Sequence, residues 1–469
     1  MPADSFLVER PTAIRLQPRA ASSMLVPLLK ELDEHILRDP ALVPALFDRL
    51  IARQRELGLV FGDRPTCPFL RPHIISRSQY DEVARAAQTV AAAVENLVAH
   101  ALVDDELFAT LGSTERESQM ARIDPGYSRL CVSSRLDAYL SDDGFQFLEY
   151  NAETPAGVGD QVQLEKVLFE LEHMKALLDG HAHWRPEPHK RLLSALLDAY
   201  RDWGGKEERP HIAIVDWKGV PTESEFHILK EYFAGEGYQT VIADPRDLTY
   251  SGGRLRFGDF DIDIVYKRVV IHEFLDRCDG NHPLARAYAD GRVCVANSFR
   301  TKIAHKKAVF AILSDPNYAE LFTPHEIEAF HRHVPWTRRL APGRTTFENA
   351  ERDLMDVLRV ERERLVLKPN DDYGGHGVVI GWETSKNDWE QAISLALKRP
   401  YVVQERVPLR KTAIPSFAGV VQMEEMFIDF NPFLFHNEVE GALIRLSSSS
   451  LLNVTSGGGQ TALLVLEDY

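Results

Sequence analysis

Cysteine is scarce in this chain. Only Cys67, Cys131, Cys278 and Cys294 occur in 469 residues, and no two fall at the close spacing of a zinc or redox motif. That excludes a disulfide scaffold and a thiolate metal centre, and it suits a reducing compartment. Low-complexity tracts and convincing internal repeats are also missing, which excludes repeat architectures. The N-terminal stretch MPADSFLVERPTAIRLQPRA has no continuous apolar core of the signal-peptide kind, and no apolar run reaches membrane-spanning length. A cytoplasmic location is the expectation. Positive charge is the other shortage: 54 Lys and Arg stand against 70 Asp and Glu, a formal net charge of −16. Such a balance argues against nucleic acid or an anionic membrane as the main partner, while leaving room for a local basic pocket that holds phosphate.

What is present is the composition of an ordinary folded protein, 44% hydrophobic and 26% charged. At roughly 150 residues per domain the length allows about three units. Up to residue 120 the chain reads as mainly helical. MLVPLLKELDEHIL and YDEVARAAQTVAAAVENLVAHAL repeat apolar residues at helical spacing, with Ser78 placed to cap the second. QVQLEKVLFELEHMKALLDG reads as one more helix, ending at Gly180. A Pro- and His-rich break follows in HAHWRPEPH. His181 and His183 have no Cys or acidic partner at a telling spacing there, so a solvated connector is expected rather than a metal site. Strand 211–217, helix 222–235 and the strand-like YQTVIAD and DIDIVYKRV then alternate, which predicts an α/β unit with a parallel sheet. From about residue 297 a basic loop and helix, NSFRTKIAHKKAVFAIL, opens a mixed α+β region that runs to the end.

Two segments before residue 152 raise a chemical question. RLCVSSRLDAYL and FLEYNAETPAG read as strands joined at Asp142-Asp143-Gly144, a loop that suits a short hairpin. With those three residues as the loop, Ser141 faces Phe145, Asp137 faces Glu149 and Arg135 faces Asn151. Alternation then puts Arg135, Asp137, Glu149 and Asn151 on one face, with Leu136, Ala138, Leu148 and Tyr150 behind. Carboxylates directly across a ladder repel unless something positive lies between them. Hard oxygen ligands without Cys or His suit magnesium, which takes one or two carboxylates and completes its shell with water and phosphate. The alternative is that Arg135 pairs with the carboxylates on an ordinary wet sheet face.

Further on, VLKPNDDYGGHGVVIG places Lys368 at a strand end, followed by Gly374, Gly375 and Gly377. Such glycines let the backbone approach an anion while the lysine adds a mobile charge; a plain hairpin turn is the competing reading. No Gly-Lys-Ser/Thr follows, so this is not a Walker A loop. In YVVQERV a strand leaves its sheet through Gln404 and Glu405, which could offer backbone groups to an adenine edge and a carboxylate to ribose.

Taken in order, these segments resemble the ATP-grasp superfamily, specifically the circularly permuted branch that includes glutathionylspermidine synthase-like amide ligases. RLD and LEYNAETP precede KKAVFAIL and VLKPNDDYGGHGV, the permuted order, and the resemblance covers roughly residues 120–460. It implies an α/β and α+β fold divided as a helical N-terminal region (1–120), a metal-binding hairpin and helix (121–185), a Rossmann-like unit (186–296) and a nucleotide-binding region (297–469). It also implies ATP and Mg2+ as cofactors, with Asp137, Glu149 and Asn151 as metal ligands and Arg135 beside the transferred phosphate. Lys307 falls at the first phosphate lysine, with Lys306 the weaker choice, and Lys368 at the second. Gly374, Gly375 and Gly377 form the phosphate lid; Gln404, Glu405 and Val407 the adenine hinge. Arg445 matches a late arginine near the γ-phosphate, and Asn453 lies in the strand that follows. His376 stands where relatives often carry Arg or Lys, and SGGGQT lacks the lysine that often follows its glycines. No extra amidase domain is expected. The implied activity is an ATP-dependent carboxylate–amine ligase working through an acyl phosphate on a small acid and an amine such as an amino acid, peptide or polyamine. A phosphotransferase and a non-catalytic nucleotide-binding protein are the alternatives.

Overall fold

Apolar residues at positions 83, 87, 90, 94 and 97 form one buried stripe on the 27-residue helix Arg77–Val103. The computed structural model that shows this describes residues 20–38, 43–141, 144–417, 421–449 and 458–468. By length and composition the helix is apolar enough to cross a membrane, but half of that window is buried inside the protein, against strands Val421–Phe435 and Glu438–Ser447 and helix Pro324–His333. Its cap is Ser76, not Ser78. Ser76 Oγ accepts from the Gln79 N–H and the Gln79 side chain accepts from the Ser76 N–H, a reciprocal box that needs Gln three residues on. Ser78 lies inside the helix, and its N–H donates to Asp468 at 2.8 Å.

The α/β unit has its parallel sheet, in the order Cys294–Ala296, Ile264–Lys267, Ile212–Val215, Thr240–Ala243. Ile212, Ala213, Ile214 and Val215 are all buried, the continuous apolar run expected where helices cover both faces. A second sheet is antiparallel and orders Thr337–Arg339, Tyr401–Glu405, Leu365–Pro369 and Val379–Ile380. The third joins distant parts of the chain. Ser133–Ser141 pairs with Gly144–Asn151 on one side and with Val421–Phe435 on the other, and Glu438–Ser447 and Gly459–Thr461 extend it.

Two expectations about the middle of the chain need correction. The single helix ending at Gly180 is two helices, Val158–Phe169 and Glu172–Gly180, because buried Leu171 takes an extended conformation (φ −69°, ψ 139°) between them. The solvated connector is partly sheet: His183–Trp184 pairs with Leu463–Leu466, which also pairs with His73–Ser76. Trp184 packs edge-on against Tyr80 at 4.9 Å, so this tryptophan anchors the segment.

Asn297 ties the hairpin to the parallel sheet. Its Oδ1 accepts from the N–H groups of Val132 (2.7 Å) and Ser133 (3.0 Å), and its Nδ2 donates to the carbonyls of Ser133 (2.6 Å), Ala152 (2.8 Å) and Glu153 (3.2 Å). Asn297→Ala is expected to lower unfolding stability by about 3 kcal/mol, since it strands several buried backbone groups. Chemical denaturation checks this; a loss below about 1 kcal/mol would mean that water replaces the amide.

Candidate active site

The hairpin reaches its expected face through a bulge. Ser141 pairs with Gly144 rather than Phe145, a one-residue offset from the three-residue loop. Between Ala138–Phe147 and Asp137–Glu149 the register shifts back by one, leaving Leu148 as the extra residue. Asp137 therefore faces Glu149, and Arg135 faces Asn151. Asn431 serves the bulge from the neighbouring strand, its Oδ1 accepting from the Ala138 N–H at 3.1 Å. Leu136, Ala138 and Tyr150 are buried behind, whereas Leu148, displaced by the bulge, lines the cleft.

Arginine meets Asp137 from two sides. Arg135 grips it with two bonds, Nε to Oδ1 at 2.7 Å and Nη2 to Oδ2 at 3.1 Å, while its Nη1 donates to the Ala156 carbonyl at 2.8 Å. Arg445 Nη2 reaches the same Oδ2 at 2.8 Å and its Nε donates to Asp429 at 2.8 Å. The arginine pairing that the sequence left as an alternative is thus present for Asp137. Glu149 is met instead by Lys307, whose Nζ lies 3.3 Å from Oε2, and among the described residues its Oε1 has a long 3.4 Å contact from Asn151.

Lys307 also donates to the Asp372 carbonyl at 2.9 Å, at the root of the glycine loop. Lys306 turns away into a buried ion cluster, 2.8 Å from Glu117 and 2.6 Å from Asp371. Lys368 Nζ donates to Gln404 Oε1 at 2.6 Å, and Gln404 Nε2 to Thr337 Oγ1 at 3.0 Å. Gly374, Gly375 and Gly377 all have positive φ (67°, 79° and 69°), and a Cβ at Gly377 would lie 2.7 Å from Pro369 Cγ. At the end of strand Tyr401–Glu405 the Glu405 N–H donates to the Trp336 carbonyl at 2.8 Å, and its carboxylate is held by Arg364 at 2.7 Å. Gln404, Glu405 and Val407 all line the cleft, with Val407 buried in its wall. Asn453 lies outside the described residues.

Arg135, Asp137, Glu149, Asn151, Lys307, Lys368, Gln404, Glu405, Val407 and Arg445 border one cavity of about 490 Å3, together with Gly374, Gly375 and the exposed His376. Over residues 72–447 the sequence matches the family "Circularly permuted ATP-grasp type 2". The chain belongs to that family. Among relatives of this ATP-grasp protein, uncharacterised proteins of Mycobacterium leprae and Mycobacterium tuberculosis (strain H37Rv) are 23% and 24% identical over 91% of this chain and 79% and 80% of theirs. A glutathione synthetase-like effector from Globodera pallida shares the fold, with a TM-score of 0.58 and 14% identity over 91% of this chain and 97% of the effector.

The charges of this ATP-grasp cleft suit a polyanion. Arg135, Arg445 and Lys307 converge on Asp137, Glu149 and Asp429, and Lys368, bonded to Gln404, acts on Glu149 through space. Burial by itself would push the Glu149 carboxyl up, but Lys307 and Lys368 hold it well below the ordinary carboxylate range. Among the described residues no three His, Cys, Asp or Glu side chains are grouped to hold a metal. Two opposed carboxylates and an amide, with a Glu149 oxygen nearly free, fit a hard cation shared with phosphate oxygens rather than one held by protein alone. Asp429 is the residue that sequence reasoning missed. Its signal was there, since FIDFNPFLF repeats in Asp429 and Asn431 the polar alternation of Glu149 and Asn151.

Burial pushes the Lys368 ammonium down to about 8, with Glu149 opposing and Lys307 adding to the shift. A bound polyphosphate favours the charged form, so nucleotide affinity is highest below that value and weakens as pH rises through it. Calorimetry with a non-hydrolysable ATP analogue is expected to show a constant Kd from pH 6 to 7 and a rise above pH 8 approaching about tenfold per unit. Lys368→Ala should bind weakly with that rise removed; an unchanged profile in the variant would assign the titration elsewhere.

Proposed function

We propose that this ATP-grasp protein is an ATP- and Mg2+-dependent ligase that joins a carboxylate to an amine through an acyl phosphate, releasing ADP and phosphate. Family membership supports ATP-dependent ligation in general. The observation that carries the finer reading is the convergence of Lys307, Arg135 and Arg445 on the opposed Asp137–Glu149 pair, with Lys368 near enough to act on Glu149, inside one cleft. Lys307 and Lys368 hold the phosphate chain, and the glycine loop covers it with backbone N–H groups. Arg135 and Arg445 sit where charge builds on the transferred phosphoryl group and on the oxyanion formed when the amine attacks. Asp137, Glu149 and Asn151 would hold a divalent cation there, which would supply further neutralisation. Asp137 and Asp429 keep both guanidinium groups fixed before substrate arrives, so little reorganisation is needed during the reaction.

The test is phosphate release from ATP with panels of small acids and amines. Release that needs both an acid and an amine, with mass spectrometry showing an amide product, supports ligation. Phosphate retained on an acid or alcohol product would make the protein a phosphotransferase, and no consumption with any pair would leave a nucleotide-binding protein.

A further inference from the structure

The glycine loop is anchored unevenly. At its root the Asn370 carbonyl accepts from the Lys307 N–H at 2.9 Å, the Asn370 Oδ1 accepts from the Ala308 N–H at 2.8 Å, and its Nδ2 donates to the Leu111 carbonyl at 2.8 Å. Asp371 sits between two buried lysines, 2.7 Å from Lys302 and 2.6 Å from Lys306. Buried bonds to charged groups open only together with the structure around them, so the chain is fixed at these two residues. Beyond Asp372 come Gly374, Gly375 and Gly377, which have no side chain to pack, and the exposed His376. The His376 ring meets the Tyr373 carbonyl at 2.9 Å, a bond within the loop itself.

Tyr373 carries the loop across to the α/β unit. Its hydroxyl donates to Glu273 Oε1 at 2.6 Å, on helix Ile271–Arg277, and its ring lies beside His272 with centroids 6.3 Å apart. Glu273 is held in place to receive it. Its Oε2 lies 3.1 Å from Arg277 Nη2, and the Arg277 guanidinium lies over the Trp217 ring, 4.7 Å from its centroid. The bond to Glu273 is the first cause that pushes the Tyr373 phenol up to about 12, so the hydroxyl stays a donor at every working pH. Tyr373 and Glu273 both line the cavity and both are partly exposed, so their bond crosses the cavity at its solvent edge. A bond of this kind is worth about tenfold in an opening equilibrium, enough to hold the loop most of the time and weak enough to break repeatedly.

We propose that Tyr373 and Glu273 form a latch that holds the glycine loop against the α/β unit and sets the rates at which nucleotide enters and leaves the cavity. They act as positioning residues, since neither has to touch the nucleotide. The latch must break for a nucleotide to pass in either direction and re-forms after passage. It therefore slows entry and exit alike and leaves affinity nearly unchanged. The inference rests on the reading of the glycine loop as the cover of the ATP phosphates.

Stopped-flow binding of a fluorescent ATP analogue with magnesium tests it on the full chain, in the parent, Tyr373→Phe, Glu273→Met and the double variant. Tyr373→Phe removes one hydroxyl from a half-exposed ring, so its thermal unfolding should match the parent's. Each single substitution is expected to raise the association and dissociation rate constants together, by about fivefold to tenfold, with Kd held within about twofold. The double variant should be no faster than either single one, because the same bond is lost in all three. Hydrogen exchange reads the latch without nucleotide: amides of residues 372–378 should exchange about tenfold faster in both single variants. Unchanged rate constants in a parent that binds the analogue, unchanged exchange, or effects of the two substitutions that multiply would overturn the latch and leave the nucleotide site in place. A parent that binds no analogue would instead overturn the reading of the loop as a phosphate cover, and the gate that rests on it.

Discussion

Glu149→Gln is expected to lower phosphate release from ATP by about 1,000-fold while leaving the fold intact. The substitution keeps the side chain's shape and removes one charge from the cleft. Glu149 remains ionised at all working pH values because Lys307 and Lys368 outweigh its burial, so the variant changes the charge throughout that range. The Lys307–Glu149 pair is open enough to solvent on the Glu149 side, 32% exposed, that its loss should move stability by no more than about 1 kcal/mol. The sharpest readout is metal dependence. In the parent protein magnesium should tighten binding of the ATP analogue, and in Glu149→Gln the affinities with and without magnesium should converge. Retention of both turnover and magnesium dependence would remove Glu149 from the cation site and leave Asp137 and Asn151 unsupported as its partners.

Replacing Arg445 by Met should have the second large effect, this time on folding as well. Arg445 bridges Asp137 and Asp429, and the Asp429 side chain is fully buried. Burial pushes the Asp429 carboxyl up to about 6 even with Arg445 beside it. Without the guanidinium two carboxylates face each other in the core, which should cost about 3–5 kcal/mol and raise the pH at which Asp429 takes up a proton. Arg445→Met is therefore expected to melt lower at pH 8 than at pH 5.5, relative to the parent at each pH. The sign follows from linkage: a carboxyl with a raised folded-state value is stabilised where it is protonated and loses that advantage as pH rises. Adding Asp429→Asn should recover most of the stability but not phosphate release, because the amide removes the buried charge without restoring a cation to the cleft. Recovery of both would make Arg445 a structural residue alone.

The alternation of polar residues in LDAYL and FLEYN was enough to place Asp137 opposite Glu149, since side chains of a strand change face at every step. It did not foretell the bulge at Leu148, because a bulge depends on what the next strand offers, here the Asn431 side chain. Asp429 escaped notice for a related reason. Its strand carries the same polar alternation, but nothing local says that Val421–Phe435 lies beside Ser133–Ser141 nearly 300 residues earlier. Lys306 and Lys307 were adjacent candidates, and helix geometry alone could not separate them. Packing did, giving Lys306 to Glu117 and Asp371 and Lys307 to Glu149.

The local periods thus settled most helices and strands, the parallel character of the α/β unit and the polar face of the hairpin, because each depends on neighbours a few residues away; the break at Leu171 and the strand His183–Trp184 depend on distant packing. The order of the segments carried the resemblance to a permuted ATP-grasp. Which strands become neighbours, which lysine reaches the cleft and how Tyr373 comes to meet Glu273 depend on contacts between residues tens to hundreds of positions apart. Those contacts are fixed by burial of whole faces and by pairing of buried charges, energies that exist only once the chain has closed on itself.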